Sequence, residues 1–192
     1  MPLNRKVAGV DEVGRGCIAG PVVAAAVIFR KNIKLNSIKD SKKISFKKRL
    51  EISEYIKKNS FYGIGIASVG EIFQLNILKA SLLAMKRAIV KLSVKPNIVL
   101  IDGIFAPEGI KNFKTIVKGD EKIKVISAAS IIAKSYRDLL MIRLSKKFNG
   151  YHWNKNFGYG TKQHLIGLKK LGITPFHRKN FGPVYKLSLI HI

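Results

Sequence analysis

Residues 21–29, PVVAAAVIF, run without a single polar side chain. A short stretch rich in valine and isoleucine, bounded by turn residues, suits a strand. With no polar face it must be covered on both sides, as the inner strand of a helix-flanked sheet is. The chain therefore has to provide other strands to pair with this one and helices to cover both faces.

The rest of the pattern provides them. Residues 7–11 form a second apolar run, ending in acid. GRGCIAGP follows, with three glycines and a proline, which is turn chemistry and predicts a hairpin. Residues 45–58 carry Phe46, Leu50, Ile52, Tyr55 and Ile56 at helical spacing, with Ser45 as N-cap. Residues 61–67 alternate as a third strand. The longest helical pattern covers 69–92, and Pro96 closes it. Residues 98–101 read as a buried strand ended by Asp102 and Gly103, and 114–117 as a short strand before Gly119 and Asp120. A second long helix spans 125–148. A third spans 161–171, capped by Thr161 and stopped by Gly172. Beyond Tyr185 no pattern emerges. Closely spaced early strands pair antiparallel, and the strand after the helical crossover joins in parallel. The expected class is α/β, a mixed five-stranded sheet flanked by helices. At 192 residues the chain fits one domain.

Thirty-six Lys and Arg oppose eleven Asp and Glu, a net charge of +25. Such a surface attracts polyanions, although a compositional bias toward Lys, Ile and Asn would raise the charge too. The single cysteine, Cys17, rules out an internal disulfide and a Cys-rich zinc site, and its apolar neighbours suit a packing role. No apolar run is long enough for a membrane helix, and the N-terminus lacks the apolar core of a signal peptide. The expectation is a soluble, cytoplasmic monomer with no membrane partner.

In so basic a chain the few acids are informative. Asp11 and Glu12 are adjacent at a strand end, Asp102 ends another strand, and Asp120 follows a third. A single aspartate at a strand end is most simply a turn cap. Three strand ends in one sheet can instead bring the acids together, where they repel unless cations sit among them. Hard ions such as Mg²⁺ or Mn²⁺ accept such ligands. Two of them about 4 Å apart can activate a water and steady the leaving oxygen of a phosphodiester. Adjacent strand residues face opposite ways, so Asp11 and Glu12 share a site only if the strand ends or bulges there.

Gly14-Arg15-Gly16 offers a backbone that a ligand can approach closely and a charge between two glycines; alone, it is usually just a turn. Tyr159 lies between Gly158 and Gly160 at the opening of the last helix. It can stack on a sugar, hydrogen-bond a 2′-hydroxyl, or simply pack beneath the loop.

GVDEVGRGCIAGPVVAAAVI, Asp40-Ser41-Lys42-Lys43, NILKASLLAMKRAI, VLIDG, the GD of VKGDEK, ISAASIIAKSYRD, GYGTKQH and HRKNFGPV occur in that order. In this order they resemble the bacterial type 2 ribonucleases H, ribonuclease HII, over residues 7–184. The resemblance implies a ribonuclease H-like core over about 7–145 and a C-terminal helical extension over about 146–192. It implies active-site acids at Asp11, Glu12, Asp102 and Asp120, binding Mg²⁺ or Mn²⁺. It implies that Gly14, Arg15 and Gly16 recognise the junction where a ribonucleotide meets DNA, and that Tyr159 senses the 2′-hydroxyl. The implied substrates are RNA–DNA hybrids and duplex DNA holding single ribonucleotides, cut 5′ to the ribonucleotide to leave 3′-hydroxyl and 5′-phosphate ends. Lys42 and Lys43 are expected on phosphate.

Two positions depart from the family pattern: Phe157 replaces the usual Lys before GY, and Asn180 replaces the Ser of HRxSF. The first is expected to weaken a phosphate contact. Asp138 fits a structural helix-face acid or a neighbour of phosphate, and Lys134 a phosphate ligand. His152, His164 and His177 lack metal-ligand spacing; His164 is expected on a helix face, and His177-Arg178 against backbone or bracing the C-terminal segment. A ribonuclease HIII and a non-catalytic RNA-binding protein are the competing readings. The acids weigh against the second, since carboxylates beside phosphates gain a pure binder nothing.

Overall fold

A computed structural model describes residues 6–30 and 44–188. The chain runs β1 (Val7–Val13), β2 (Val22–Phe29), α1 (Phe46–Lys58), β3 (Ser60–Ala67), α2 (Val69–Val90), β4 (Ile98–Asp102), β5 (Phe113–Ile116), α3 (Gly119–Lys122), α4 (Lys124–Lys147), α5 (Trp153–Asn156), α6 (Lys162–Leu171) and α7 (Gly182–Ser188). The strands form one sheet in the order β3-β2-β1-β4-β5. β1 pairs antiparallel with β2, as does β2 with β3; β4 runs parallel to β1, and β5 to β4. This is the mixed five-stranded sheet the sequence predicts.

The apolar run sits at its heart. Val22 to Val27 are fully buried, and the strand's alternate residues enter two separate cores. Val22, Ala24, Ala26 and Ile28 meet α2, whereas Ala25 and Val27 meet α4 and α1. Each fully buried Val or Ile contributes about 1.5–3 kcal/mol, so neither layer can be dispensed with. A third core joins Ile18, Ala19 and Met141 to Tyr151, Trp153, Leu168 and Val184, fixing the C-terminal helices to the loop after β1.

Local signals explain most boundaries. Ser45 accepts from the Lys48 amide, and Ser68 with Glu71 forms a full capping box. Thr161 caps α6 by accepting from the His164 amide. α2 contains a break the periodicity hides: Asn76 adopts φ 69 and its side chain accepts the Leu78 and Lys79 amides, restarting the helix. The short α3 and α5 were not foreseen, nor was α7, which covers part of the tail that shows no sequence pattern. Among the described residues no helix is long and apolar enough to cross a membrane.

α4 lies close over β1. A Cβ on Gly9 would fall within 2.5 Å of main-chain atoms of Val125 and Ile126. That approach, with small residues Ser127, Ala128 and Ala129 on the buried face of α4, brings the helix against the acid-bearing end of the strand.

Candidate active site

A cavity of about 500 Å³ opens at the carboxyl ends of β1 and β4. Asp11, Glu12, Asp102, Asp120 and Tyr159 all border it, together with Arg49, Lys118, Ser130 and Lys134. The four acids singled out from the sequence thus line one cavity. Lys42 and Lys43 lie outside the described residues.

The way Asp11 and Glu12 share the cavity differs from expectation. β1 neither ends nor bulges at this point: Asp11 pairs with Ala25, Glu12 with Ala24 and Val13 with Val23. What stops is the ladder to β4, whose last pair is Val10 with Ile101. Alternation puts Asp11 on the α4 face and Glu12 on the other, and the cavity wraps the edge of β1 that β4 leaves open.

Asp11 is buried, accepting from the Glu12 amide at 2.7 Å and from the Ser130 hydroxyl of α4. Burial pushes its carboxyl well above the usual range, and the charges of Glu12 and Asp102 push it further. Glu12 is also raised by burial, against the pull of Arg15 at 3.2 Å. Asp102 Oδ1 accepts the Gly119 amide at 2.6 Å and the Asp120 amide at 3.4 Å. That contact ties β4 to the start of α3 and brings Asp120, which lies inside the helix, to the cavity. Among the described residues no three or more Asp, Glu, His or Cys side chains are grouped closely enough to hold a metal ion as they stand. An open arrangement of this kind suits hard ions that keep water or substrate oxygens as further ligands.

The cationic wall is organised by Asp138, which is fully buried. Its Oδ2 accepts from Arg49 Nη2 at 2.6 Å and its Oδ1 from Lys134 Nζ at 2.8 Å. Asp138 is thus an ion-pair centre joining α1 to α4. Lys134 also lies 4.8 Å from the centre of the Phe157 ring, which stacks on Phe46. At the position where the family pattern has lysine, this chain uses an aromatic ring to seat another lysine. Arg49 and Ser130 were not singled out from sequence; neither has a spacing that distinguishes it from an ordinary helix residue.

Gly14 adopts φ +95, and a Cβ there would meet Arg137 Nε at 2.2 Å. Arg15 and Gly16 are exposed, whereas Gly14 and Cys17 are buried. Tyr159 is half exposed, with its phenol raised by partial burial and by the neighbouring Cys17 thiol. Its carbonyl oxygen accepts from His164 Nδ1 at 2.8 Å. His164 is not on an open helix face: it is buried, with Nε2 2.9 Å from Trp153 Nε1 and 3.1 Å from His177 Nε2. His177 Nδ1 in turn takes the Thr174 amide at 2.9 Å. Arg178 reaches the backbone of the Gly14–Gly16 loop.

The model of the family Ribonuclease HII matches residues 8–184. The chain belongs to the ribonuclease HII family. A ribonuclease HII of Pelagibacter ubique is 57% identical over 183 residues, covering 94% of this chain and 98% of that one. The ribonuclease H2 structure from Pyrococcus horikoshii superposes with a TM-score of 0.83 at 26% identity, covering 96% of this chain and 98% of the other. The structure of Bst-RNase HIII in complex with Mn²⁺ shares the fold, with a TM-score of 0.77 at 19% identity over 97% of this chain and 70% of that one. As a ribonuclease HII family member, the chain is a metal-dependent endoribonuclease of the ribonuclease H type, acting on RNA–DNA hybrids. That excludes the non-catalytic RNA-binding reading.

Proposed function

We propose that this ribonuclease HII cuts the RNA strand of hybrids and also cuts 5′ of single ribonucleotides embedded in duplex DNA, leaving 3′-hydroxyl and 5′-phosphate ends. The carrying observation is that Asp11, Glu12, Asp102 and Asp120 border one cavity with Tyr159. The donors are all hard oxygens, and Asp11 and Glu12 are raised by burial and by nearby acids, a cluster that a divalent cation relieves. The four acids would hold two Mg²⁺ or Mn²⁺ ions. Such a pair, when bound, supplies an activated water and stabilises the leaving oxygen.

The chain's own side chains do the rest. Ser130 and the Glu12 amide orient Asp11. Asp102 holds the start of α3 and with it Asp120. Arg49 and Lys134 offer positive charge to the phosphate, and the Phe157 ring seats Lys134 where the family's lysine is missing. Lys42 and Lys43 add phosphate contacts. The Gly14–Gly16 backbone and the Tyr159 hydroxyl test for a 2′-hydroxyl. The helices beyond residue 146 act as an extension that completes this reading edge.

The test is hydrolysis of a DNA duplex containing one ribonucleotide, with Mg²⁺ or Mn²⁺. Asp102→Asn keeps the shape and the acceptor oxygen for Gly119 but removes the charge. Its rate is expected to fall by roughly 100-fold or more, since several kcal/mol of charge stabilisation is lost. A variant as fast as wild type would remove Asp102 from the metal set. An enzyme that needs several consecutive ribonucleotides would refute the single-ribonucleotide activity.

A further inference from the structure

Arg137 and Arg178 are both buried, yet their guanidinium groups point at main-chain carbonyls rather than at acids. Arg137 donates to Pro21 (2.9 Å), Ala19 (3.0 Å) and Phe157 (2.7 Å). Arg178 donates to Gly20 (2.9 Å), Arg15 (2.9 Å) and Gly14 (2.7 Å). The Arg178 amide also donates to Ile18 at 2.9 Å. Burying a cation without an anion is costly, and an apolar side chain would fill the same space more cheaply. Burial does pull Arg178 down, to about 10, which still leaves it charged at neutral pH. A pair of such residues therefore does something that packing alone does not require.

The directions of the carbonyls show what. In a planar trans peptide the N–H points opposite to the C=O. With the Gly14 and Arg15 carbonyls turned in toward Arg178, the Arg15 and Gly16 amides turn outward. Those are the two exposed residues of the loop, and a Cβ on Gly16 would meet nothing within 4 Å. Arg137 links the far end of the β1–β2 connection, at Ala19 and Pro21, to the Phe157 carbonyl, two residues before Tyr159, and the Gly158 carbonyl accepts the Ile18 and Ala19 amides. The two arginines thus lock the Gly14–Gly16 loop and the Tyr159 turn into one relation, with two donors aimed out.

We propose that Arg137 and Arg178 are positioning residues that set the preference for a ribonucleotide, Arg178 by aiming the Arg15 and Gly16 amides and Arg137 by fixing the connection that carries them relative to Tyr159. This rests on the reading above that this edge tests the 2′-hydroxyl. Neither arginine touches substrate; each acts through the backbone it holds.

The experiment compares duplex DNA carrying one ribonucleotide with the same duplex carrying a 2′-fluoro nucleotide at that position, in Mg²⁺ and in Mn²⁺. Wild type, Arg178→Lys, Arg137→Lys and Tyr159→Phe are measured below their unfolding midpoints, with kcat and KM separated. Amide exchange of residues 14–17 is followed in parallel. A lysine keeps the charge but cannot reach three carbonyls. Both lysine variants should therefore lose kcat on the ribonucleotide substrate, on the order of 100-fold for a displaced contact. The ribonucleotide-to-fluoro rate ratio should drop by roughly 10-fold, and exchange at Cys17, whose amide donates to the Gly14 carbonyl, should rise. A lower unfolding midpoint with an unchanged ratio in both lysine variants would overturn the proposal, provided Tyr159→Phe does change the ratio. If Tyr159→Phe leaves it unchanged as well, the reading of this edge fails and takes the proposal with it. Arg137→Lys repeats the test from α4, away from the non-helical segment that carries Arg178, so a misfolded Arg178→Lys does not leave it open.

Discussion

Replacing Asp138 with asparagine changes no shape and removes one charge from the most buried ion-pair centre in the protein. In the native structure its two oxygens lie 2.6 Å from Arg49 and 2.8 Å from Lys134. The two cations differ in what they can do once the anion is gone. The Lys134 side chain is 28% exposed and can turn to solvent; that of Arg49 is 10% exposed, and its Nε has no hydrogen-bond partner. Arg49 is therefore stranded. Removing one member of a buried pair costs about 3–5 kcal/mol. The amide oxygen keeps one contact, so Asp138→Asn should fall at the lower end, about 3 kcal/mol. For a chain of this size that lowers the thermal midpoint by about 6–12 °C. Urea unfolding at pH 7 gives the free energy directly. Adding Arg49→Met to Asp138→Asn should recover at least about 1 kcal/mol, because the stranded charge is then absent. A loss below about 1 kcal/mol, or full additivity in the double variant, would refute the ion-pair account of Asp138.

The paired histidines predict a pH effect. Burial, and then the charge of His164, hold His177 down to about 3, against 6.5 when unfolded. The unfolded chain thus binds the proton first, and stability falls as pH drops from about 6.5 toward 3, by about 1.4 kcal/mol per unit for that group. The carboxylates titrate in the same range, so the measure is the difference between wild type and His177→Gln; equal pH slopes would count against it. Gly14→Ala should be costlier than an ordinary loop change. It forces φ +95 on a residue with a Cβ and drives that atom against Arg137, for about 2 kcal/mol or more. A near-normal melting temperature would show that the loop relaxes freely.

Much of this architecture is legible from the chain alone. The apolar run of β2 demands two covering layers, and capping residues such as Ser45 and Thr161 mark helix starts. The four acids are visible because they are rare and end strands. What escapes is whatever depends on partners far away in sequence. Arg137 looks like any helix residue, yet its partners Pro21 and Ala19 lie 116 and 118 positions off. His164 has the spacing of a surface residue and is buried only because the segment carrying His177 folds back on it. Asn76 breaks α2 with a side chain that caps its own second half, which an apolar period cannot register. Asp11 and Glu12 were expected at the end of a strand. They do stand at the carboxyl end of β1, but the boundary that opens a shared cavity belongs to a neighbouring ladder, which stops at Val10.

The bond from Arg178 to Gly14 spans 164 positions, and this has a consequence for how the molecule comes into being. During synthesis the acids of β1 and the loop after it emerge before the guanidinium that fixes that loop, 164 positions later. At about 5–20 residues per second, the interval is roughly 8–33 s. Over that time the sheet can assemble and the acids can gather. On the proposed reading, the edge that tests for a 2′-hydroxyl has no fixed form until the segment carrying Arg178 docks. A nascent chain thus lacks the fixed loop until Arg178 has emerged and docked, a delay that follows from topology alone.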